Sequence, residues 1–92
     1  MRIDYNPAKN GRNIRNRRLS FDRAAEFDFE TALYHEDIRK SYPERRFVAL
    51  GFLDARLHVL CFAHVPGGIR VISFRKANAR EINHYEQETA DR

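Results

Sequence analysis

Three apolar runs follow one another at about Arg46 to Phe52, Arg56 to Val65 and Ile69 to Lys76, separated only by Leu53-Asp54-Ala55 and Pro66-Gly67-Gly68. Connections this short are hairpin turns, so the runs must form an antiparallel meander on which the rest of the chain packs. In the middle run Leu57, Val59, Cys61 and Ala63 share one face, while Leu60 and Phe62 share the other with His58 and His64. In the third run Ile69 and Val71 oppose Ile72 and Phe74. Both faces are apolar over much of their length, whereas a sheet wetted on one side alternates cleanly. The cover is expected either from the chain's own short helices or from a partner, another copy or a different protein, that completes the burial.

The flanking segments read as follows. Met1 to Tyr5 is strand-like, and Asn6-Pro7 supplies an N-cap and a first-turn proline for a helix to about Arg17. Ala8, Gly11 and Ile14 would form its inner side. Ser20 caps a shorter helix through Phe27, with Leu19 stapled onto Ala24. Ala32 to His35 can form a short strand, and Glu36 to Pro43 reads as a charged loop. Asn78 and Glu81 are spaced as a capping box for a last helix carrying Ala79, Ile82 and Tyr85 on one side and fraying near Thr89. The class is α+β: two N-terminal helices, an antiparallel meander of three to four strands and a C-terminal helix. At 92 residues and 10.9 kDa, without a repeat or linker, residues 1–92 make one domain.

Several classes of function are excluded. No apolar run approaches the roughly 20 residues needed to cross a bilayer, and no charged-then-apolar leader marks the chain for secretion, so a cytoplasmic protein is expected. A single cysteine, Cys61, cannot form an internal disulfide and sits in a core-like strand. His35, His58, His64 and His84 have no ligand-like spacing. His58 and His64 would lie about 20 Å apart on a regular strand. No metal or cofactor is expected.

The charge is unevenly placed. Residues 1–23 carry seven basic side chains against Asp4 and Asp22, residues 24–46 carry six acids against four bases, and the chain totals +4. Most of the cations are arginines, the side chain suited to bidentate phosphate contacts. Polyanion binding and a merely soluble basic surface are both consistent with this. With two-residue turns at Asp54-Ala55 and Gly67-Gly68, His64 would oppose Val71 and Arg45, and Leu60 would oppose Arg75. Arg75 and His64 would then share a face. Arg45, Arg46, Arg70, Arg75 and Lys76 each read alone as solvated strand ends, and together as a phosphate cradle. RNA cleavage needs no metal when the 2′-hydroxyl attacks, provided that a side chain removes its proton and cations hold the phosphate. His64, Glu44 and Tyr85 are available to move protons, although His64 reads first as a core or hairpin-tip residue and Tyr85 first as a helix-to-sheet packing residue.

Three separated motifs then give a family resemblance. Asn6-Pro7-Ala8-Lys9 with Asn13-Ile14-Arg15 and Leu19-Ser20-Phe21 is similar to the opening of BrnT toxins. Glu44-Arg45-Arg46 through Gly51 resembles their Glu-x-Arg segment. Ile69 to Ala77, with Arg80-Glu81 and Tyr85-Glu86, resembles their last strand and closing helix. Where many members have Lys-His-Gly after the first helix, this chain has Asn16-Arg17-Arg18. The resemblance implies a RelE-like fold and the toxin of a type II toxin–antitoxin pair, an endoribonuclease that halts translation. A BrnA-type antitoxin with a ribbon-helix-helix would neutralise it in a 2:2 complex and carry operator DNA binding. On that pattern Arg46 and Arg75 would act as phosphate or transition-state cations, Lys76, Arg80 and Arg70 would position RNA, and His64 or Tyr85 would move protons. The acidic residues Glu26, Asp28, Glu30, Glu36 and Asp37 would lie away from the active face. The other reading is a non-catalytic basic RNA-binding or assembly protein.

Overall fold

The computed structural model describes all 92 residues. Its strands are β1 (Arg2–Tyr5), β2 (Leu33–Glu36), β3 (Phe47–Leu53), β4 (Arg56–Val65) and β5 (Gly68–Lys76), and its α-helices are α1 (Pro7–Arg17) and α2 (Ala79–Thr89). The meander β3-β4-β5 is extended on both sides into a five-stranded sheet of order β1-β5-β4-β3-β2. β1 runs parallel to β5, so the sheet is larger than the three to four antiparallel strands expected. The second N-terminal helix is a single 3₁₀ segment, Phe21–Glu26, capped by the Ser20 side chain.

The β3–β4 turn is Asp54-Ala55, as expected, with Leu53 opposite Arg56 and Phe47 opposite Phe62. The β4–β5 turn instead falls at Pro66-Gly67, with Gly67 in the left-handed region at φ 78°, and Val65 opposes Gly68. Further along, Cys61 opposes Ser73 but Phe62 opposes Val71, so Ile72 is an unopposed bulge residue. The bulge lies just beyond Tyr5↔Val71, the last pair β1 makes with β5. It inverts the facing of the rest of β5: Arg75 opposes Val59 rather than Leu60.

From that point α1 takes the place of β1 along the edge of β5. Its buried side is therefore polar. Asn13 Nδ2 donates to the carbonyls of Phe74 and Leu19, each at 2.9 Å, and Asn10 Oδ1 accepts from the Phe21 N–H at 2.8 Å. Ile14, expected on the inner side, is 43% exposed. An edge with free carbonyls calls for amide donors, not for an apolar stripe.

The two sheet faces carry separate cores. Ala49, Leu53, Leu60, Phe62, Ile69, Val71 and Phe74 pack with Leu19, Phe21, Ala24, Phe27 and Ala32. Leu50, Leu57, Val59 and Ala77 pack with Tyr85 of α2. The capping box starts α2: Asn78 Oδ1 accepts from the Glu81 N–H, and Glu81 Oε1 accepts from the Asn78 N–H, both at 2.9 Å. The 3₁₀ segment and its following loop cover one face and α2 much of the other, so much of the cover comes from the chain's own short segments. No helix is long and apolar enough to cross a membrane.

Candidate functional site

Two clefts meet at Arg75, which lines both. The smaller, about 490 Å³, lies on the α2 side of the sheet, between the 37–46 loop and the start of α2. It brings Arg46 and Arg75 together over Val48, Val59, Cys61 and Ser73. The guanidinium of Arg46 lies 4.1 Å from the centre of the Tyr42 ring, and its Nε is buried without a hydrogen-bond partner. Charge here is balanced. Arg75 makes a two-pronged pair with Glu81, which raises the guanidinium pKa and holds the Glu81 carboxyl low. Arg39 pairs with Asp37 at 2.8 Å, and this hydrogen bonding, followed by Tyr42, holds Asp37 far below the usual carboxylate range. Glu36 and Asp37 thus line this cleft, whereas the acidic residues were expected away from the cations.

The larger cleft, about 650 Å³, opens at the other end of the same strands. Arg17, Arg18, Arg23, Arg56, Arg75 and Lys76 line it, with Asp54 the one carboxylate. Asp54 is engaged by Arg23 at 3.0 and 3.1 Å. Arg56 is held by the carbonyls of Leu57 and Ala77, and Arg17 by Asn13 Oδ1 at 2.9 Å. Arg18 and Lys76 make no side-chain hydrogen bond or ion pair within the protein and stand exposed. Arg18 is the left-handed C-cap of α1, φ 57°, which turns the chain at the cleft's lip. None of Glu26, Asp28, Glu30, Glu36 and Asp37 lines this cleft.

His58 forms part of the same wall and is 5% exposed. Its Nδ1 donates to the Arg56 carbonyl at 2.7 Å, which fixes the proton on Nδ1 and leaves Nε2 as an acceptor. Burial lowers its pKa, and the charges of Arg56 and Lys76 add to that, against the opposing Arg56 carbonyl bond. The imidazole is therefore neutral near pH 7.

The remaining expected residues are dispersed. His64 stacks edge-on to Phe47 and Phe62 at 5.3 and 5.5 Å, on the sheet face opposite Arg75. The Ile72 bulge causes that separation, so His64 does not join the cations. Tyr85 is buried on Phe52, its hydroxyl donates to the Thr31 carbonyl at 3.0 Å, and it lines neither cleft. Arg70 is paired with Asp4 at 3.2 Å and lies near Glu44 at 3.8 Å. Arg80 is exposed on α2 and lines neither cleft. Burial raises the Cys61 pKa, so it is a thiol and a poor nucleophile. Sequence reasoning missed His58, Arg17, Arg18 and Arg56 as one group. The adjacent Arg17-Arg18 pair after a helix was visible, but its meeting with β4 depends on α1 running along the sheet edge.

A family model described as "Ribonuclease toxin, BrnT, of type II toxin-antitoxin system" matches residues 5–81, a span that includes every residue of both clefts. A search of curated proteins found no match.

Proposed function

Since the chain belongs to the BrnT family of ribonuclease toxins of type II toxin–antitoxin systems, we propose that it is a metal-independent endoribonuclease on a RelE-like scaffold, and that RNA is cut at the larger cleft. The observation that carries the site is the charge of that cleft: six Arg and Lys side chains against one carboxylate already engaged by Arg23. Single-stranded RNA would lay its backbone along Arg17, Arg18 and Arg56 and present a phosphate to Arg75 and Lys76. Arg46, in the adjoining cleft, would take the next stretch of backbone, and Arg70 and Arg80 would act only as outlying positive charge. The reaction is attack of the ribose 2′-oxygen on its own phosphorus. It leaves a 2′,3′-cyclic phosphate and a 5′-hydroxyl, with the cations stabilising charge that builds on the phosphoryl oxygens.

Such cleavage would inhibit translation in the cytoplasm. A BrnA-type antitoxin would neutralise it, with a ribbon-helix-helix segment, a 2:2 assembly and operator DNA held through the antitoxin. The test is incubation of the purified protein with a defined single-stranded RNA. The expected products carry cyclic phosphate and 5′-hydroxyl ends, with rates cut at least tenfold by Arg75→Ala and by Lys76→Ala. RNA bound in a salt-sensitive way but never cut would support the non-catalytic reading. Cleavage indifferent to both substitutions would place the site elsewhere.

A further inference from the structure

We propose that His58 is the proton-accepting catalytic residue of the larger cleft, an inference that rests on the ribonuclease reading above. Three observations converge on its Nε2. The Nδ1–H bond to the Arg56 carbonyl fixes the tautomer, so the lone pair must sit on Nε2. Nε2 makes no hydrogen bond within the protein, yet it is not sealed: the one buried side-chain polar atom lacking a partner is Arg46 Nε. It is therefore the polar atom that His58 offers to the cleft it lines. Lys76 stands directly opposite His58 across the β4–β5 ladder. Side chains so paired have Cβ atoms roughly 5 Å apart. A base and a cation thus flank one point of a cleft sized for a nucleotide.

The step balances as follows. Nε2 takes the proton of the ribose 2′-hydroxyl as the 2′-oxygen forms its bond to phosphorus. The bond from phosphorus to the 5′-oxygen breaks, and that oxygen takes a proton from the Lys76 ammonium. Solvent then returns a proton to Lys76 and removes one from His58. The groups facing the imidazole keep it ready for this role. Arg56 on its own strand and Lys76 on β5 lower its proton affinity, while Asp54 in the turn raises it slightly. Arg75 on β5, Arg17 and Arg18 at the end of α1 and Arg23 in the 3₁₀ segment line the same cleft and add positive charge. The Phe74 ring, 5.6 Å away, supplies a dry wall. A neutral histidine held by one carbonyl and ringed by cations accepts a proton most readily when an anion, the scissile phosphate, arrives beside it.

The experiment compares wild type, His58→Asn and His58→Gln on a defined single-stranded RNA from pH 5 to 8. Asn keeps a donor near Nδ1, and Gln keeps a polar atom near Nε2, so between them the fold and its anchor are conserved; melting curves verify this. Wild-type kcat/KM is expected to rise with pH along one limb set by a pKa below 6.5. Both variants are expected to lose at least a hundredfold and that limb, while binding a 2′-deoxy RNA within about threefold of wild type. NMR titration should also move the His58 pKa upward when the 2′-deoxy RNA binds. A folded variant that keeps its rate and its limb overturns the role of His58 but leaves the ribonuclease reading standing. Should either variant unfold, a His58 titration blind to the 2′-deoxy RNA overturns it by itself. A wild type that cuts no RNA overturns both.

Discussion

Arg75 donates from its two terminal nitrogens to the two carboxylate oxygens of Glu81, each at 2.9 Å, across the junction of β5 and α2. Glu81 also closes the capping box of α2 by accepting from the Asn78 N–H. The guanidinium that lines both clefts is therefore half-neutralised by a residue with a second, structural duty. Glutamine serves a capping box as well as glutamate does. Glu81→Gln is thus expected to leave α2 in place while freeing Arg75 for phosphate. RNA affinity at low salt should rise about threefold or more, read by fluorescence anisotropy with a 2′-deoxy strand to suppress cleavage. Unchanged affinity would show that Arg75 does not touch the backbone.

The cleft's charge makes a second, independent demand. Each phosphate contact on a single strand contributes about 0.7 to the slope of log affinity against log salt. Arg18 and Lys76, which carry no partner inside the protein, should each remove about that much on replacement by Ala. Arg23, held by Glu26 at 2.6 Å and by Asp54, should remove much less. Equal slopes for all three variants would mean that the internal ion pairs do not govern which arginines reach RNA.

Asn13 joins the fold to the site. Its amide satisfies two carbonyls, Leu19 and Phe74, that are otherwise buried, while its oxygen holds Arg17. Replacing it with Ala leaves both carbonyls without a donor. A loss of about 2–4 kcal/mol is expected, from the cost of unsatisfied buried groups. Urea unfolding measures it. Asn13→Asp should be worse still, because it sets a charge against two carbonyls.

The residues that were legible in the sequence and those that were not differ in kind. Asn6-Pro7, Ser20, and Asn78 with Glu81 mark helix starts through local chemistry, and the structure places all three starts there. The three apolar runs fixed the meander for the same reason, since strand period and short turns are local signals. What escaped was register. The turn at Pro66-Gly67 shifts the register by two and keeps the facing, whereas the bulge at Ile72 moves Arg75 to the face opposite His64, and that bulge leaves no mark in composition. The polar inner side of α1 escaped as well. Asn10 and Asn13 look like surface residues until the helix is known to run beside an open strand edge. His58 followed from both: its cleft exists only because that helix end, the β3–β4 turn and the end of β5 come together.

Several titrations set the acid limb of stability, and those of His58 and Asp37 lie at its two ends. Burial lowers the folded-state pKa of His58, so below about 6.5 the unfolded chain binds the proton first. Stability is therefore full above that range and falls as pH drops. Asp37 accepts from Arg39 and from the Tyr42 hydroxyl at 3.2 Å, and its folded pKa is held well down. Its contribution is present above about 4, the unfolded value, and is lost as pH falls from there. Melting temperature against pH should show two declines. His58→Asn should erase the upper one, and Asp37→Asn should shrink the lower, to which Asp28, Glu36 and Glu81 also contribute. Tyr42 also carries the Arg46 guanidinium, so Asp37→Asn should loosen the smaller cleft before the larger.

Gly67 and Gly68 stand side by side and are expected to respond to a different degree and for different reasons. At Gly67 an added Cβ meets nothing within 4 Å, but φ is +78°, so Gly67→Ala costs backbone strain alone, about 1–2 kcal/mol. At Gly68 an added Cβ would lie 1.8 Å from the carbonyl oxygen of Arg2 and 2.7 Å from its nitrogen. Those atoms are backbone and cannot swing aside, so β1 must part from β5. Gly68→Ala should therefore cost more than about 3 kcal/mol, at the severe end for a single substitution. The consequence reaches the site, because β1 leads directly into α1, and α1 carries Arg17 and Arg18 to the lip of the larger cleft. Gly68→Ala that still folds should bind RNA more weakly, whereas Gly67→Ala should bind as wild type does. Urea unfolding together with RNA anisotropy on both variants separates the two, and a Gly68→Ala protein with native stability would show that β1 is not needed to hold α1 against the edge of β5.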